Sequence, residues 1–381
     1  AYIDPETSQW RFRTGAEVKR LKAFAEPRKT PRIVVDGVFY QLSNSGIARV
    51  WTSLFKEWVR TGYADNVVLI DRGGTAPRID GVIYHSIEPH NWDSVDGDSR
   101  LLQEVCDLEG ADLFISTYYT TPTRTPSVFF GHDMIPEIMG FDLDDLWWRQ
   151  KRRAIQYAAG HIMVSQSSVD DMCRFHPEVD PRRVLVAHNS VAGAFRPCGD
   201  DEIRRFREEH AIERDFVMMV GERFGWRGYK NGGVVFAALA QMDPKDRPLL
   251  VCVGGQGELE EAGRAFLGPE DVRLLKLDDD GLRACYAAAL AYVCPSKLEG
   301  FGLPVAEAMA VGCPALVCRN SSIPEVAGTA GVYFDESDPL DLARAIREVR
   351  DPGVRQQIVA AGKEQAATFS QERSAKQIAD Y

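Results

Sequence analysis

Glu299 and Glu307, with seven residues between them, flank a glycine-rich turn in the second half of the chain. Gly300 and Gly302 lie in this turn, and Pro304 suits the start of a helix because its φ is fixed and it has no N–H. The free N–H groups and the dipole at a helix N-terminus favour a phosphate, and carboxylates accept hydrogen bonds from sugar hydroxyls. The pattern therefore predicts a site for a nucleotide-sugar. An ordinary connection with two solvated glutamates is the alternative that these residues alone leave open.

The helix after this turn is predicted over residues 304–311, because Gly312 suits the position after a helix C-terminus. Glu307 is accordingly expected in the first turn of that helix. The missing side chains of Gly300 and Gly302 are interpreted as room for a pyrophosphate group to approach the backbone.

Two cations, Arg223 and Lys230, lie on a glycine-bearing loop that follows an apolar run. An arginine can bind a diphosphate through two N–H groups, and a lysine can act as a point charge beside it. We therefore predict that these two residues bind the diphosphate. A solvated basic loop is the alternative.

His132 and Asp133 follow another apolar run, and polar residues at the carboxyl end of a strand are typical of ligand sites in α/β proteins. We expect His132 at the active site, whereas a turn capped by Asp133 is the simpler alternative. Gly46 follows the polar loop 43–45 and precedes a predicted helix. Capping of that helix is the alternative to ligand binding there.

The composition is that of an ordinary globular protein, with 45% of the 381 residues hydrophobic and 27% charged. The net charge of −11 argues against general nucleic-acid binding, because no basic surplus exists to displace counterions from phosphates. The eight cysteines show no metal-binding spacing, and Cys252, Cys294 and Cys318 lie in apolar runs. We therefore expect buried thiols and a reducing, cytoplasmic setting.

Apolar runs alternate with helical stretches along most of the chain, which is typical of parallel sheets covered by helices on both faces. One series occupies residues 31–195 and a second occupies 196–369. We predict two successive doubly wound, Rossmann-like α/β domains, with the ligand in the cleft between them. Residues 1–30 are polar and basic, and we interpret them as a leader or as a linker within a longer multidomain chain.

Two aromatic segments raise the question of a membrane surface. Trp51, Phe55 and Trp58 form one stripe at helical spacing, which favours packing in the core. The segment 147–153 joins two tryptophans to a basic cluster. A surface helix at the cleft is favoured there, and peripheral contact with anionic lipid is the alternative.

The run EGFGLPVAEAMAVGCPALV, residues 299–317, resembles the Glu-x7-Glu motif of retaining GT-B glycosyltransferases of family 4. Further similarities extend from about Val34 to about Ala345. The resemblance implies the GT-B architecture, in which the last helix, here within residues 370–381, returns to the first domain. The chain departs from the family at Ser45, which stands in place of a glycine, and in a slightly longer spacing between Arg223 and Lys230.

The same resemblance implies a role for each candidate residue. Glu299 is expected beside the transferred sugar, and Glu307 beside the ribose. The implied catalytic residues are His132, Arg223, Lys230 and Glu299. The implied donor-binding residues are Gly46, Gly300, Phe301, Gly302, Leu303 and Glu307.

The activity implied is transfer of a hexose from a nucleotide-sugar to a saccharide or glycolipid hydroxyl, with retention of configuration and without a metal or another cofactor. A role in bacterial surface polysaccharide or glycan synthesis, in the cytoplasm or at the inner face of the membrane, follows from it. The segments around Phe39 and Asn320 are most similar to bacterial members that use GDP-mannose or related deoxyhexoses, so GDP-mannose is the favoured donor. A non-catalytic nucleotide-sugar-binding protein and a nucleotide-sugar epimerase are the alternatives.

Overall fold

The computed structural model describes the protein over residues 2–3, 10–11, 30–42, 46–92, 94–225 and 228–381. The predicted leader, residues 1–30, lies almost wholly outside the described residues, as does the loop 43–45. Near the amino end, Tyr2–Ile3 pairs antiparallel with Trp10–Arg11.

The first domain contains a sheet of seven strands. They are Ile33–Asp36 (β1), Val67–Arg72 (β2), Ile83–Ile87 (β3), Leu113–Ser116 (β4), Ser127–Gly131 (β5), Gly160–Met163 (β6) and Val184–Val186 (β7). All neighbours pair parallel, in the order β3-β2-β1-β4-β5-β6-β7. The central strands β1 and β2 are buried along their whole length, as expected of a sheet covered on both faces.

The second domain repeats this arrangement with six strands. They are Phe216–Val220 (β8), Leu249–Val253 (β9), Val272–Leu275 (β10), Ala291–Cys294 (β11), Ala315–Val317 (β12) and Val332–Tyr333 (β13). All neighbours again pair parallel, in the order β10-β9-β8-β11-β12-β13. The strand order reverses beside β8 and β11, and ligand sites of open α/β sheets lie at such points.

Helices connect the strands of both sheets. In the first half of the chain they are Gly46–Thr61 (α1), Val95–Glu109 (α2), Ile135–Ile138 (α3), Leu146–Tyr157 (α4) and Gln166–Phe175 (α5). In the second half they are Asp200–Glu209 (α6), Gly233–Ala240 (α7), Glu261–Arg264 (α8), Asp279–Ala288 (α9), Leu303–Val311 (α10), Ile323–Ala327 (α11), Pro339–Glu348 (α12), Pro352–Ala367 (α13) and Gln371–Asp380 (α14).

The aromatic stripe of α1 belongs to the core of the first domain. Trp51, Phe55 and Trp58 are all buried, and the ring of Trp51 lies 4.9 Å from that of Phe130 in β5. The prediction of core packing for this stripe is confirmed. The predicted burial of the thiols of Cys252, Cys294 and Cys318 is likewise confirmed.

The tryptophans of α4 pack against the protein's own aromatic rings. Trp147 stacks on Trp92 at 4.1 Å, and Trp148 meets Phe141 edge-on at 5.5 Å. Lys151, one of the basic residues, is fully buried in an ion pair with α3 rather than exposed to solvent. No helix in the described part of the chain is long and apolar enough to cross a bilayer.

The last helix, α14, packs against α1 of the first domain. Trp58 donates its indole N–H to the carbonyl of Ala375 at 3.2 Å. The hydroxyl of Tyr381, just beyond α14, donates to the carbonyl of Arg183 at 2.7 Å. The carboxyl end of the chain therefore crosses back from the second domain to the first.

Candidate active site

The cleft between the two domains contains a pocket of about 530 Å³, which we call the donor pocket. It lies at the carboxyl ends of β8, β9 and β11, and the start of α1 closes it from the first domain. The predicted residues that line it are Gly46, Lys230, Glu299 and Leu303. The fold thus brings together residues that are more than 250 positions apart in the sequence.

Helix α10 begins at the floor of the donor pocket. Gly302 precedes it with φ +91°, and Gly312 ends it with φ +96°, both in the left-handed region that favours glycine. The helix starts at Leu303 rather than at Pro304. The expectation that Glu307 lies in the first turn is therefore wrong, because Glu307 is the fifth helical residue.

The two glycines of the turn are required by the protein's own packing. A Cβ on Gly300 would overlap the backbone carbonyl of His132 in the first domain. A Cβ on Gly302 would lie 2.6 Å from the side chain of Ile323, in a backbone conformation that L-residues rarely adopt. Room for a pyrophosphate was the expected reason for these glycines, but close contact between the domains is sufficient to explain Gly300.

The turn is also fastened to the amino end of α5 in the first domain. The carbonyl of Gly300 accepts hydrogen bonds from the hydroxyls of Ser165 at 2.6 Å and of Ser168 at 3.1 Å. The carboxylate of Glu325 accepts from two backbone N–H groups at the same helix end, at 2.7 and 2.8 Å. We call Ser165, Ser168, Gly300 and Glu325 the domain seam.

Lys230 and Glu299 form an ion pair inside the donor pocket. The ammonium Nζ of Lys230 lies 2.7 Å from Oε1 of Glu299, and the two side chains are 23% and 17% exposed. Burial lowers the pKa of Lys230, but the adjacent carboxylate outweighs burial and holds that pKa above its ordinary value. Lys230 is therefore a permanent cation beside a carboxylate whose other oxygen can accept a hydrogen bond.

Arg223 is placed differently from the prediction. Its side chain is fully buried, with Nε bonded to Glu260 at 2.7 Å and Nη2 bonded to the carbonyls of Gln256 and Glu258. Only Nη1 has no hydrogen-bond partner among the described residues. Arg223 therefore cannot bind a diphosphate in a bidentate manner in this conformation, because its guanidinium already bonds to the loop after β9.

Glu307 is almost fully buried and contacts two residues that the sequence patterns did not single out as ligands. Its carboxylate lies 3.2 Å from Nη2 of Arg49 and accepts a hydrogen bond of 3.3 Å from Tyr286. Arg49 also reaches Asp279 at 3.2 Å, so this arginine of α1 joins the first domain to the second. Burial raises the pKa of Glu307 to about 7, and the charge of Arg49 opposes that rise.

His132 lies beside the donor pocket, in a neighbouring cavity. The residue is 9% exposed, and its Nε2 has no hydrogen-bond partner among the described residues. Burial lowers the pKa of this imidazole to about 4, against the opposing charge of Asp133, so the ring is neutral at physiological pH. The carboxylate of Asp133 accepts a hydrogen bond from the N–H of Ile135 at 2.9 Å. Asp133 therefore caps a turn, as the simpler alternative for this segment predicted.

Gly46, Leu303 and Phe301 differ in their access to a ligand. Gly46 and Leu303 line the donor pocket from opposite domains. The side chain of Phe301, in contrast, is buried against Phe369 at 5.3 Å and His188 at 5.8 Å. Only the backbone of Phe301 remains for a donor, because its ring fills the core between the domains.

The acidic segment that begins at Asp278 acts as a helix cap. The carboxylate of Asp278 accepts from the N–H of Gly281 at 2.8 Å at the start of α9. Within the described ranges, no group of three or more His, Cys, Asp or Glu side chains is close enough to hold a metal ion.

The second domain is similar in sequence to known proteins. Residues 200–365 match the family model of glycosyl transferases group 1. The chain is 40% identical over 100 residues to the O-antigen chain mannosyltransferase B of Escherichia coli, a segment that covers 26% of each protein. It is 29% identical over 242 residues to a D-inositol 3-phosphate glycosyltransferase of Corynebacterium kroppenstedtii, covering 58% of this chain and 52% of the relative. The chain thus matches about a quarter of the length of the first relative and about half of the second.

Both domains together match a solved structure, that of HepE of Anabaena in complex with UDP and glucose. The TM-score is 0.73, and the match covers 92% of this chain and 98% of HepE. The chain has the GT-B fold. The two chains are 18% identical, so this likeness concerns the architecture alone. The predicted fold class is confirmed, and the donor pocket lies in the interdomain cleft of the GT-B fold.

Proposed function

We propose that this GT-B protein is a retaining glycosyltransferase that moves a hexose from a nucleotide-sugar to a hydroxyl of a saccharide or glycolipid. The observation that carries the proposal is the Lys230–Glu299 pair at the amino end of α10, inside the interdomain pocket. A cation and a helix N-terminus suit a diphosphate, and a carboxylate suits a sugar hydroxyl. The family match of residues 200–365 supports the same reaction class.

The chemistry requires stabilisation of a departing nucleoside diphosphate. The bond from the anomeric carbon to the diphosphate oxygen breaks, and negative charge develops on the diphosphate beside Lys230 and the backbone N–H groups of the turn that leads into α10. The acceptor oxygen then forms its bond on the same face of the sugar, and its proton passes to a diphosphate oxygen. In this scheme the lysine and the amides supply the electrostatic stabilisation, and no metal is needed.

The favoured donor is GDP-mannose. Support comes from the 40% identity, over 100 residues, with a protein named as a mannosyltransferase. UDP-glucose, which is named as the ligand in another structure of HepE, is the donor for comparison. The named relatives are transferases, which favours transfer to an acceptor over the sensor and epimerase alternatives. A role in surface polysaccharide synthesis at the inner face of the membrane stays a prediction.

The protein is expected to bind GDP, and to release it from GDP-mannose, equally well with and without EDTA. Calorimetric titrations with GDP and with UDP, each repeated in the chelator, measure base preference and metal dependence together. Release of the diphosphate in the presence of mixed saccharide acceptors then measures transfer. Binding that vanishes with EDTA would refute the metal-free scheme. Tighter binding of UDP than of GDP would change the proposed donor to a UDP-sugar but would not affect the proposal of glycosyl transfer. If neither diphosphate binds, the proposed function is refuted.

The affinity for GDP is expected to increase as the pH rises through about 7. The pKa of Glu307 is about 7 because of burial. Below that pH the carboxyl is protonated and offers the ribose fewer acceptor lone pairs, and above it the carboxylate is ionised and keeps one free lone pair on each oxygen beside its contacts with Arg49 and Tyr286. Titrations between about pH 6 and about pH 8 check this.

The variant Glu307→Gln is the control for this pH dependence, because its amide does not titrate. It should retain only the dependence due to ionisation of the diphosphate itself, whose last proton also dissociates near neutral pH. Identical slopes in the parent and the variant would show that Glu307 does not titrate at the ribose.

A further inference from the structure

Three of the described residues other than glycine have a positive φ angle, and two of the three lie beside the Lys230–Glu299 ion pair. Asn231 follows Lys230 directly and has φ +54°, and Ser321 has φ +45° on the loop after β12. Residues with side chains rarely adopt this left-handed conformation, and they keep it only where neighbouring contacts hold the backbone in place. The contacts of Asn231 and Ser321 therefore indicate what the conformation serves.

The side chain of Asn231 connects the loop that carries Lys230 to two neighbouring loops. Its Nδ2 donates to the carbonyl of Pro295, directly after β11, at 3.1 Å and to the carbonyl of Glu336, after β13, at 2.9 Å. An asparagine amide has two N–H donors, and both are used here. The backbone next to Lys230 is thereby fixed against the start of the loop that carries Glu299.

The loop after β12 binds the backbone of Glu299. The hydroxyl of Ser321 accepts a hydrogen bond from the N–H of Glu299 at 2.8 Å, and the hydroxyl of Ser322 donates to the carbonyl of Glu299 at 2.9 Å. Ser322 is fully buried. Both polar groups of the Glu299 backbone are therefore held, and its carboxylate contacts Lys230 at 2.7 Å.

These contacts belong to one closed network, because Asn320 completes the circuit. Its Nδ2 donates to the carboxylate of Glu336 at 2.6 Å, and the backbone carbonyl of Glu336 accepts from Asn231. We call Asn231, Asn320, Ser321, Ser322 and Glu336 the loop network. Among the described residues that line the donor pocket, none is a member of it. The loop network therefore surrounds the ion pair from behind.

We propose that Asn231 and Ser321 are positioning residues for glycosyl transfer, Asn231 for the ammonium of Lys230 and Ser321 for the carboxylate of Glu299. This inference rests on the proposed function, from which the roles of Lys230 and Glu299 come. A charge stabilises a departing diphosphate most when it is in place before the bond breaks, because no reorganisation is then needed. The hydrogen bonds of the loop network, with the left-handed backbone that they hold, supply this fixed geometry.

Asn231→Gly tests the first role, because glycine keeps the positive φ and removes both donated hydrogen bonds. We expect kcat to fall by about tenfold to a hundredfold, since a displacement of about 1 Å at a reacting group has effects of this size. The Kd of the diphosphate should remain nearly unchanged. The whole chain is assayed with GDP-mannose and with UDP-glucose in the presence of mixed saccharides, and Kd is measured by calorimetry with GDP and with UDP.

Ser321→Gly tests the second role, since it also keeps the positive φ and removes the hydroxyl that binds the Glu299 N–H. We expect it to weaken the nucleotide-sugar by roughly threefold to tenfold and to lower kcat, while the bare diphosphate binds as before. The control is Ala211→Gly, at the third position with positive φ, which is exposed shortly after α6. It should leave kcat and both affinities unchanged.

Double variants distinguish positioning from a role in stability alone. If Asn231 acts through Lys230, adding Asn231→Gly to Lys230→Ala should lower kcat little further, because the charge that it positions is already absent. Adding Ser321→Gly to Glu299→Ala should likewise cause little further loss of nucleotide-sugar affinity. A role in stability alone predicts that the losses multiply. Thermal midpoints are recorded for every variant, and rates are measured below the lowest of them.

Binding and turnover by the parent protein separate this inference from the proposed function. If neither GDP nor UDP binds, or if neither donor is cleaved, the proposed function fails, and the positioning roles fail with it. If the parent is active but Asn231→Gly and Ser321→Gly match it, only the positioning roles are overturned. They are overturned as well if the losses multiply in the double variants, or if neither single variant folds, since the loop network then serves the fold.

Discussion

Replacing Lys230 with alanine is expected to lower kcat by on the order of 10²–10³ while the protein remains folded. The ammonium of Lys230 lies in the donor pocket, and it is held at a fixed position by Glu299 at 2.7 Å. A preorganised cation acts on charge that develops only as the diphosphate departs, so its loss affects the chemical step more than donor binding. Initial rates at saturating donor, with donor Kd from calorimetry, measure the two effects separately.

Lys297→Ala is the matched control, because Lys297 is exposed on the loop that carries Glu299 and does not line the donor pocket. Loss of Lys230 also leaves the Glu299 carboxylate without its ion-pair partner, and this can lower the thermal midpoint. The double change of Lys230→Ala with Glu299→Gln removes that unpaired charge and should recover the midpoint but not kcat. A Lys230→Ala protein as active as the parent would make this lysine an ordinary loop residue.

Glu299→Gln and Glu307→Gln are expected to impair different parts of donor binding. Glu299 is predicted beside the transferred sugar, so its amide variant should weaken the whole nucleotide-sugar and slow transfer but leave the bare diphosphate bound nearly as before. Glu307 is predicted beside the ribose, which both ligands carry. Its variant should weaken both alike, by about 1.5–3 kcal/mol if a charged hydrogen bond is lost.

The measurement is a pair of titrations for each variant, one with GDP-mannose and one with GDP. Glu364→Gln, an exposed position on α13, serves as the control for general effects of the substitution. If Glu299→Gln reduces GDP affinity as much as Glu307→Gln does, the assignment of sugar and ribose roles is wrong. If neither variant binds more weakly than the control, the two glutamates are not donor ligands.

The two sheets could be predicted from the alternation of apolar runs with helical stretches for a physical reason. A strand buried on both faces, such as Phe216–Val220 or Leu249–Val253, is a continuous apolar run bounded by polar or glycine residues, and such runs are visible in one sequence. The turn at Gly300 and Gly302 could be predicted because a proline that follows glycines is typical of the first residues of a helix. These local signals were sufficient to predict two doubly wound domains and to assign Lys230 and Glu299 to the same ligand site.

Apart from the start of α10, the errors concern contacts between distant segments. The packing of Gly300 on His132 and the ion pairs of Arg49 with Asp279 and Glu307 depend on how the two domains meet. Hydrophobic periodicity carries no information about such pairs. Arg223 shows the same limit, since its position on a loop suggested an outward cation, whereas Glu260 and two carbonyls draw it into the interior. The position of Arg49 three residues after Gly46 was the one available signal for its role.

The domain seam has a consequence for hybrid enzymes built by exchanging domains between relatives. A second domain transplanted onto a first domain without serines at these positions would bring the carbonyl of Gly300 but not the hydroxyls, here of Ser165 and Ser168, that bind it. The carboxylate of Glu325 would be paired only if the foreign helix presents its first backbone N–H groups at the same place. The interface between the two domains of the hybrid would then contain buried polar groups without hydrogen-bond partners, or the two domains would not pack closely. The unit that can be exchanged is therefore the second domain together with the matching stretch of the first, residues 165–168.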